Sequence, residues 1–556
     1  MLLVFVSFLA LCLTARGYTL TPPLSSFKHR RLLSKHNSAV LSSSPCRMLL
    51  YAISQDGSAE EWHDINDSST IMYNDFEQDI TSSAPVQLIS ESSSPTKPNS
   101  NPTAEQSLTQ LLRKRTSELL QSSRRLLKNW KTGKAKSYGA FSINEQFFMN
   151  KEERLPFDWV RRVAIGRYPR VACGSAHGSI FVADVNARQL LCVASGVHYS
   201  DDSNDFVNAL DEQLRQYIYG DYDGGGVLAV AMFGKGIIAS SGREGGVKLF
   251  KLFEDTKGTT ELIYQGDVQS LIRPMPGALP VIVTCMKFDS IGRLYLGGSD
   301  GFLRIVSFPE DYILGEAYLD SKDLKVTIIS PSTQDGRPPS PILSLDISEQ
   351  LEMVVTAHGN GNVCLYSVKE EDNRYSLSGE LAGVWNPFAK SRKTYARSVI
   401  FASMERKRVL RHAVVVGAGN GEVWINDIHP AVNVSSYYTD VVNEFADRTG
   451  APLLVNERAL QFQPSHVGPV ISLASRPGGI VVSAGHDGML RITQTWIGQE
   501  NLKDAPRKDP MPLYGLGGYR VWIGSVCVDE EGKRLVSDGM DDAVVVHDFS
   551  YDESIK

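Results

Sequence analysis

Ile480-Val-Val-Ser483-Ala484-Gly485-His486-Asp487-Gly488-Met489-Leu-Arg-Ile492 is two short apolar strands joined by a tight turn, and the pattern returns seven times along the chain, at intervals of 54 to 67 residues. The other copies of the turn are Gly174-Ser-Ala-His-Gly178, Ser241-Gly-Arg-Glu-Gly245, Gly298-Ser-Asp300-Gly301, Ala357-His-Gly-Asn360-Gly361, Gly417-Ala-Gly-Asn420-Gly421 and Asp538-Gly-Met-Asp541-Asp542. Gly tolerates positive φ without steric cost. An Asp or Asn side chain bonds the backbone two residues on, so each copy has the chemistry of a hairpin turn. No single copy can bury its apolar face alone, and such repeats stack until a common core closes. The spacing therefore predicts an all-β fold, a seven-bladed β-propeller over residues 137–549.

Blade six carries the fullest copy: Ser465-His466-Val467-Gly468-Pro469 leads into a first strand, Gly478-Gly479 turns it, and Ser483 and Asp487 follow on the second strand and its turn. This copy resembles a WD-repeat, and the likeness extends in weaker form over all seven. The resemblance implies a buried hydrogen-bond network of His466, Ser483 and Asp487. The Trp that completes the network in that family is replaced by Thr493 here, and by Ala183, Phe250, Val306, Tyr366, Asn426 and His547 in the other copies. The last copy ends at Phe549 after three strands, so Ser137 to Ser142 is expected to supply the outermost strand of blade seven and join the two ends of the ring.

The formal charge of −6 is unevenly spread. Residues 1–55 hold six basic side chains and no acid, residues 56–103 one base and nine acids, residues 104–136 nine bases and two acids, and the remainder 41 bases and 52 acids. A net acidic propeller argues against nucleic acid as a partner, since that affinity comes largely from neutralising phosphates. The apolar run Leu2–Leu13 and the small residues Ala15 and Gly17 give residues 1–17 the form of a signal peptide. Residues 18–55, rich in Ser, Leu and bases, have transit-peptide composition. Together, with Tyr18 directly after the cut, they resemble an algal bipartite plastid presequence, which implies a plastid reached through the secretory pathway. The alternative is a secreted protein with glycosylation at Asn66 or Asn433. Residues 56–103 read as a disordered acidic Ser/Pro linker, and 550–556 as a tail.

Residues 104–134 read as a basic amphipathic helix, with Leu108, Leu111, Leu112, Leu119, Leu126, Leu127 and Trp130 gathered on one side. Two placements are open: packed on the propeller rim, or held over 105–131 against an anionic membrane or a partner's groove. Three insertions exceed a minimal blade. They are Tyr199 to Gly226, with a short helical stretch at 206–217, the loop around Trp385, and Val432 to Leu460, with a helix at 439–448. The second, with Trp385, Phe388, Lys390, Arg392, Lys393 and Tyr395, mixes aromatic anchors with cations and is the expected contact site for a protein partner.

Cys173, Cys192, Cys285, Cys364 and Cys527 stand singly in apolar strands and read as free thiols. Nucleophile elbow, zinc-protease and phosphate-loop motifs are all missing. His177, His358 and His486 recur at turns of different blades, too far apart for one metal. No catalytic residue, metal or cofactor is expected. The expected function is a non-catalytic, monomeric scaffold or assembly factor for other proteins. The alternatives are a membrane-peripheral adaptor and a propeller enzyme with a site in the channel.

Overall fold

A computed structural model describes residues 50–53, 59–60, 104–143, 158–198, 226–234, 236–256, 258–268, 270–273, 281–314, 319, 321–330, 339–370, 377–388, 394–406, 409–428, 459–495, 510–519, 522–540 and 543–551. The chain divides into two units, Met1–Arg47, outside the described residues, and Met48–Lys556, which holds the propeller. The signal-peptide, most transit-segment and most linker readings, and both insertion helices, lie outside the described residues.

Seven antiparallel sheets follow one another; blades one to six place four strands in chain order from the channel outward, and blade seven takes its outermost strand from ahead of blade one. Blade six shows the plan: Val470–Arg476 innermost, then Ile480–Gly485, Leu490–Gln494 and Met511–Leu516. The second strand is buried at every position because neighbouring blades cover both its faces, which is why it reads as a continuous apolar run. Short strands at Leu50–Ile53 and Ala59–Glu60, which the sequence reading assigned to the transit-like segment and the linker, extend this sheet beyond Met511–Leu516.

Six turn glycines, Gly178, Gly245, Gly301, Gly361, Gly421 and Gly488, have positive φ between 69° and 92°. Where the preceding residue is Asp or Asn its side chain accepts from the backbone two residues on: Phe302 N to Asp300, Asn362 N to Asn360, Glu422 N to Asn420 and Met489 N to Asp487, at 3.0–3.2 Å. Asp541 lies outside the described residues.

Blade seven is built from Val526–Val528, Arg534–Met540 and Ala543–Asp548, and its outermost strand is Lys136–Ser142. Tyr138 faces Val546 and Gly139 faces Val545 in that antiparallel pair, so the two ends of the propeller meet in one sheet, as the strand count requires.

The innermost strand of each blade is a sheet edge whose free backbone groups need partners. Side chains of the neighbouring blade supply them at every junction of the ring. Arg162 donates to Leu228 O, Ser241 to Val283 O, Thr284 to Ile342 O and Ser398 to Val470 O. Val399 N donates to the Ser344 hydroxyl, Val526 N to that of Ser472, and Val163 N to that of Ser525. These contacts surround a central channel of about 370 Å³ lined by the first strands.

Among its described side chains, the helix Ala104–Thr132 packs on the propeller through Leu126, Leu127 and Trp130. The Trp130 ring is fully buried, stacked on Phe549 with centroids 3.8 Å apart, and its Nε1–H donates to Gly532 O at 2.8 Å. Asn129 donates to Phe549 O and Tyr551 O.

Candidate partner-binding face

In each blade the turn between the second and third strands and the crossover into the next blade lie at one end of the strands. His466 stands in such a crossover. Its Nδ1–H donates to the Asp487 carboxylate at 2.9 Å and its Nε2 accepts from the Ser483 hydroxyl at 2.8 Å, so the imidazole is neutral with a fixed tautomer. Burial pushes the His466 pKa down against the pull of Asp487. Burial works to raise the Asp487 carboxyl, but bonds from His466 and Val467 N and the nearby Arg491 outweigh it and hold the group below its usual range. This is the network the WD resemblance implies, formed without the Trp.

The sequence reading missed a second copy in blade two. His198 Nδ1–H donates to Glu244 at 2.5 Å and its Nε2 accepts from Ser240 at 2.8 Å. Glu stands where Asp is usual, and a 28-residue insertion, Tyr199 to Gly226, separates the His from its partners. Blade four has a reduced version: His358 Nδ1–H donates to Ser340 O and Nε2 accepts from Thr356. Burial lowers the His358 and His547 pKa values to about 4. These groups hold the crossovers in place; they are structural.

The expected contact loop around Trp385 is corrected by its burial. Trp385 and Phe388 are each 2% exposed and belong to the core between blades four and five. Their side chains are consumed by packing, and Tyr395 is half-buried beside Gly419. Lys390, Arg392 and Lys393 lie outside the described residues.

The same end of the ring carries a different aromatic group that the sequence reading did not single out. Trp159 directly precedes the first strand of blade one, and Trp522 lies in the crossover into blade seven. Between them sits the Arg161 guanidinium, 4.6 Å from the Trp522 ring centroid and 5.8 Å from that of Trp159. The outer flank of each indole is covered by a histidine, His486 on Trp522 at 5.8 Å and His177 on Trp159 at 5.4 Å. The five side chains form one row, His177, Trp159, Arg161, Trp522, His486, across blades one, seven and six. His177 and His486, which recur at equivalent turns of different blades, thus flank a single row. The available signal was a Trp placed just ahead of an inner strand in two neighbouring blades.

The row is held from below. Asp158 accepts from Trp159 N and His177 N, while Asp538, fully buried, accepts from Gly524 N and Ser525 N. Burial drives the Asp538 carboxyl up to about 7, against these bonds and the charges of Arg161 and Arg162. His486 is exposed, and Trp159, Trp522 and His177 are half-buried, so the rings present faces to solvent at the mouth of the channel, beside the lining residues Arg162 and Gly524. Arg161 itself is buried between the two indoles, so the surface the row offers is that of Trp159, Trp522 and the flanking histidines. All five cysteines among the described residues are free, and burial holds the Cys173 thiol well above its usual range. No group of three or more His, Cys, Asp or Glu side chains is placed to hold a metal ion among the described residues.

No protein-family model and no curated protein matches the chain. Among solved structures it is similar to the crystal structure of Chaetomium thermophilum Raptor, at 12% sequence identity and a TM-score of 0.43, over 71% of this chain and 28% of that one.

Proposed function

We propose that this chain is a non-catalytic scaffold, built on degenerate WD-type repeats, that receives a protein partner on the face carrying Trp159, Arg161 and Trp522. The observation that carries the reading is the stacked row at the channel mouth. Its members are fixed by backbone and burial, yet two indoles and an imidazole remain open to solvent. Propellers offer such rigid faces without chemistry of their own, and function resides in the surface. The composition of residues 1–55 supports a plastid as the compartment where the partner is met.

The test is photo-crosslinking in the native cells, with a benzophenone amino acid at position 486 on this face and at position 531 on the opposite hairpin. A defined protein captured only from position 486, and lost when Trp522→Ala is added, supports the reading. Equal capture at both positions, or capture that survives Trp522→Ala, overturns it. Mass spectrometry of the same sample reads the processed N-terminus. A start near residue 50 supports the plastid route, and a start at Tyr18 with glycan on Asn433 replaces it with secretion.

A further inference from the structure

The helix Ala104–Thr132 is anchored near Trp130, and its described side chains from 110 to 125 are exposed. Leu126 and Leu127 are partly buried and Trp130 completely so, whereas Leu111, Leu112, Leu119 and Leu120 are 63%, 57%, 59% and 56% exposed. At about 100° per residue, Leu112, Leu119, Leu126 and Trp130 fall on one line of the helix. The face that seals into the propeller at Trp130 therefore continues outward with nothing on it. Monomeric soluble proteins rarely leave a contiguous apolar strip bare.

The charges beside that strip decide what covers it. Arg113, Lys114, Arg115, Arg124, Arg125, Lys128 and Lys131 surround it, and Glu118 is the one acid over residues 110–132. Glu118 is occupied by Arg115 at 3.6 Å. The propeller body is net acidic, so the cations belong to this element and not to a generally basic surface. A protein groove for the helix would need a matching rim of acids. An anionic lipid surface provides negative charge along the whole length and an apolar boundary for the leucines. No described helix is long and apolar enough to cross a membrane, so the element would lie in the surface.

We propose that residues 111–120 of this helix dock on anionic lipid, with Leu112 and Leu119 at the acyl boundary and the arginines and lysines at the headgroups. The short strip makes the attachment reversible and dependent on lipid charge. Trp130 fixes its root, because Gly532 lies at the far end of the blade-seven inner strand from Trp522. The helix is thus rooted at the opposite end of the strands from the partner face. The inference stands independently of what binds the partner face.

The experiment uses the full chain with a dansyl amino acid at position 119 and vesicles of phosphatidylcholine with or without phosphatidylglycerol. A blue shift and rise in emission with the anionic vesicles alone is expected, with apparent affinity falling on the order of tenfold when Leu112→Glu is added or Arg124 and Arg125 become Gln. Because the probe reports from position 119, binding by the N-terminal segment does not mimic the result. Emission that stays unchanged on anionic vesicles, or that shifts equally on neutral ones, overturns the proposal. So does a shift that Leu112→Glu leaves intact while circular dichroism shows the protein folded.

Discussion

Ser525 and Val163, 362 residues apart, exchange two hydrogen bonds across the seam between blades seven and one: the Ser525 hydroxyl accepts from Val163 N at 3.2 Å and donates to Val163 O at 3.1 Å. A single hydroxyl thereby satisfies both backbone groups at the edge of an inner strand. Ser525→Ala leaves a buried N–H and C=O without partners, and the expected cost is about 1–3 kcal/mol. Ser472→Ala, which removes the equivalent link to Val526, should cost a similar amount. Denaturant unfolding of both variants checks this, and a loss within error of zero would mean that water replaces the hydroxyl.

Gly421 has φ of 92°, and a Cβ on it would lie 2.1 Å from His466 O and 2.8 Å from Gly468 O. Both obstacles are backbone and cannot swing away. Gly421→Ala should therefore destabilise by roughly 3 kcal/mol or more. Gly139, in the closing strand, has open space at its Cβ position. Gly139→Ala is expected to change stability by less than about 1 kcal/mol, and the pair measured side by side separates steric exclusion from general intolerance of substitution.

Trp130→Ala removes the stack on Phe549 and the bond to Gly532 together. The cavity predicts a loss of about 3–5 kcal/mol in the packing of the helix end on blades six and seven. Since only the end of the helix is anchored, its exposed arginines and lysines should be cut by trypsin far faster in the variant. Equal cleavage rates would show that the arm is held elsewhere.

His358 and His547 are buried as neutral rings with pKa values near 4, against an ordinary 6.5. The unfolded chain binds more protons than the folded one between those values. Their contribution is thus complete above pH 6.5 and is lost as pH falls toward 4. His547→Gln should lower stability at neutral pH yet reduce the steepness of that acid loss, read as Tm against pH. The raised Asp538 works in the opposite sense, its contribution declining as pH rises toward 7. Asp538→Asn should accordingly steepen the acid loss, and parallel curves for all three proteins would refute both assignments.

The architecture was legible because turn chemistry is local. Gly421, Asn420 and Asp487 can be read as hairpin residues without knowing what surrounds them, and the strand deficit after Phe549 required Lys136–Ser142 to return. His466, Ser483 and Asp487 were visible for the same reason, being close in sequence. The row of Trp159, Arg161 and Trp522 was not, because it joins residues more than 350 positions apart that touch only once the ring has closed. Trp385 misled for a related reason: an aromatic beside basic residues reads as an anchor, and only the packing of blades four and five shows it to be core.

The strand that shuts the ring, Lys136–Ser142, leaves the ribosome long before Ala543–Asp548, against which it pairs. Through the synthesis of the intervening blades it has no partner, and its backbone stays open to any other extended chain. Closure must therefore wait for the very end of translation, so the chain emerges as an open, threadable array.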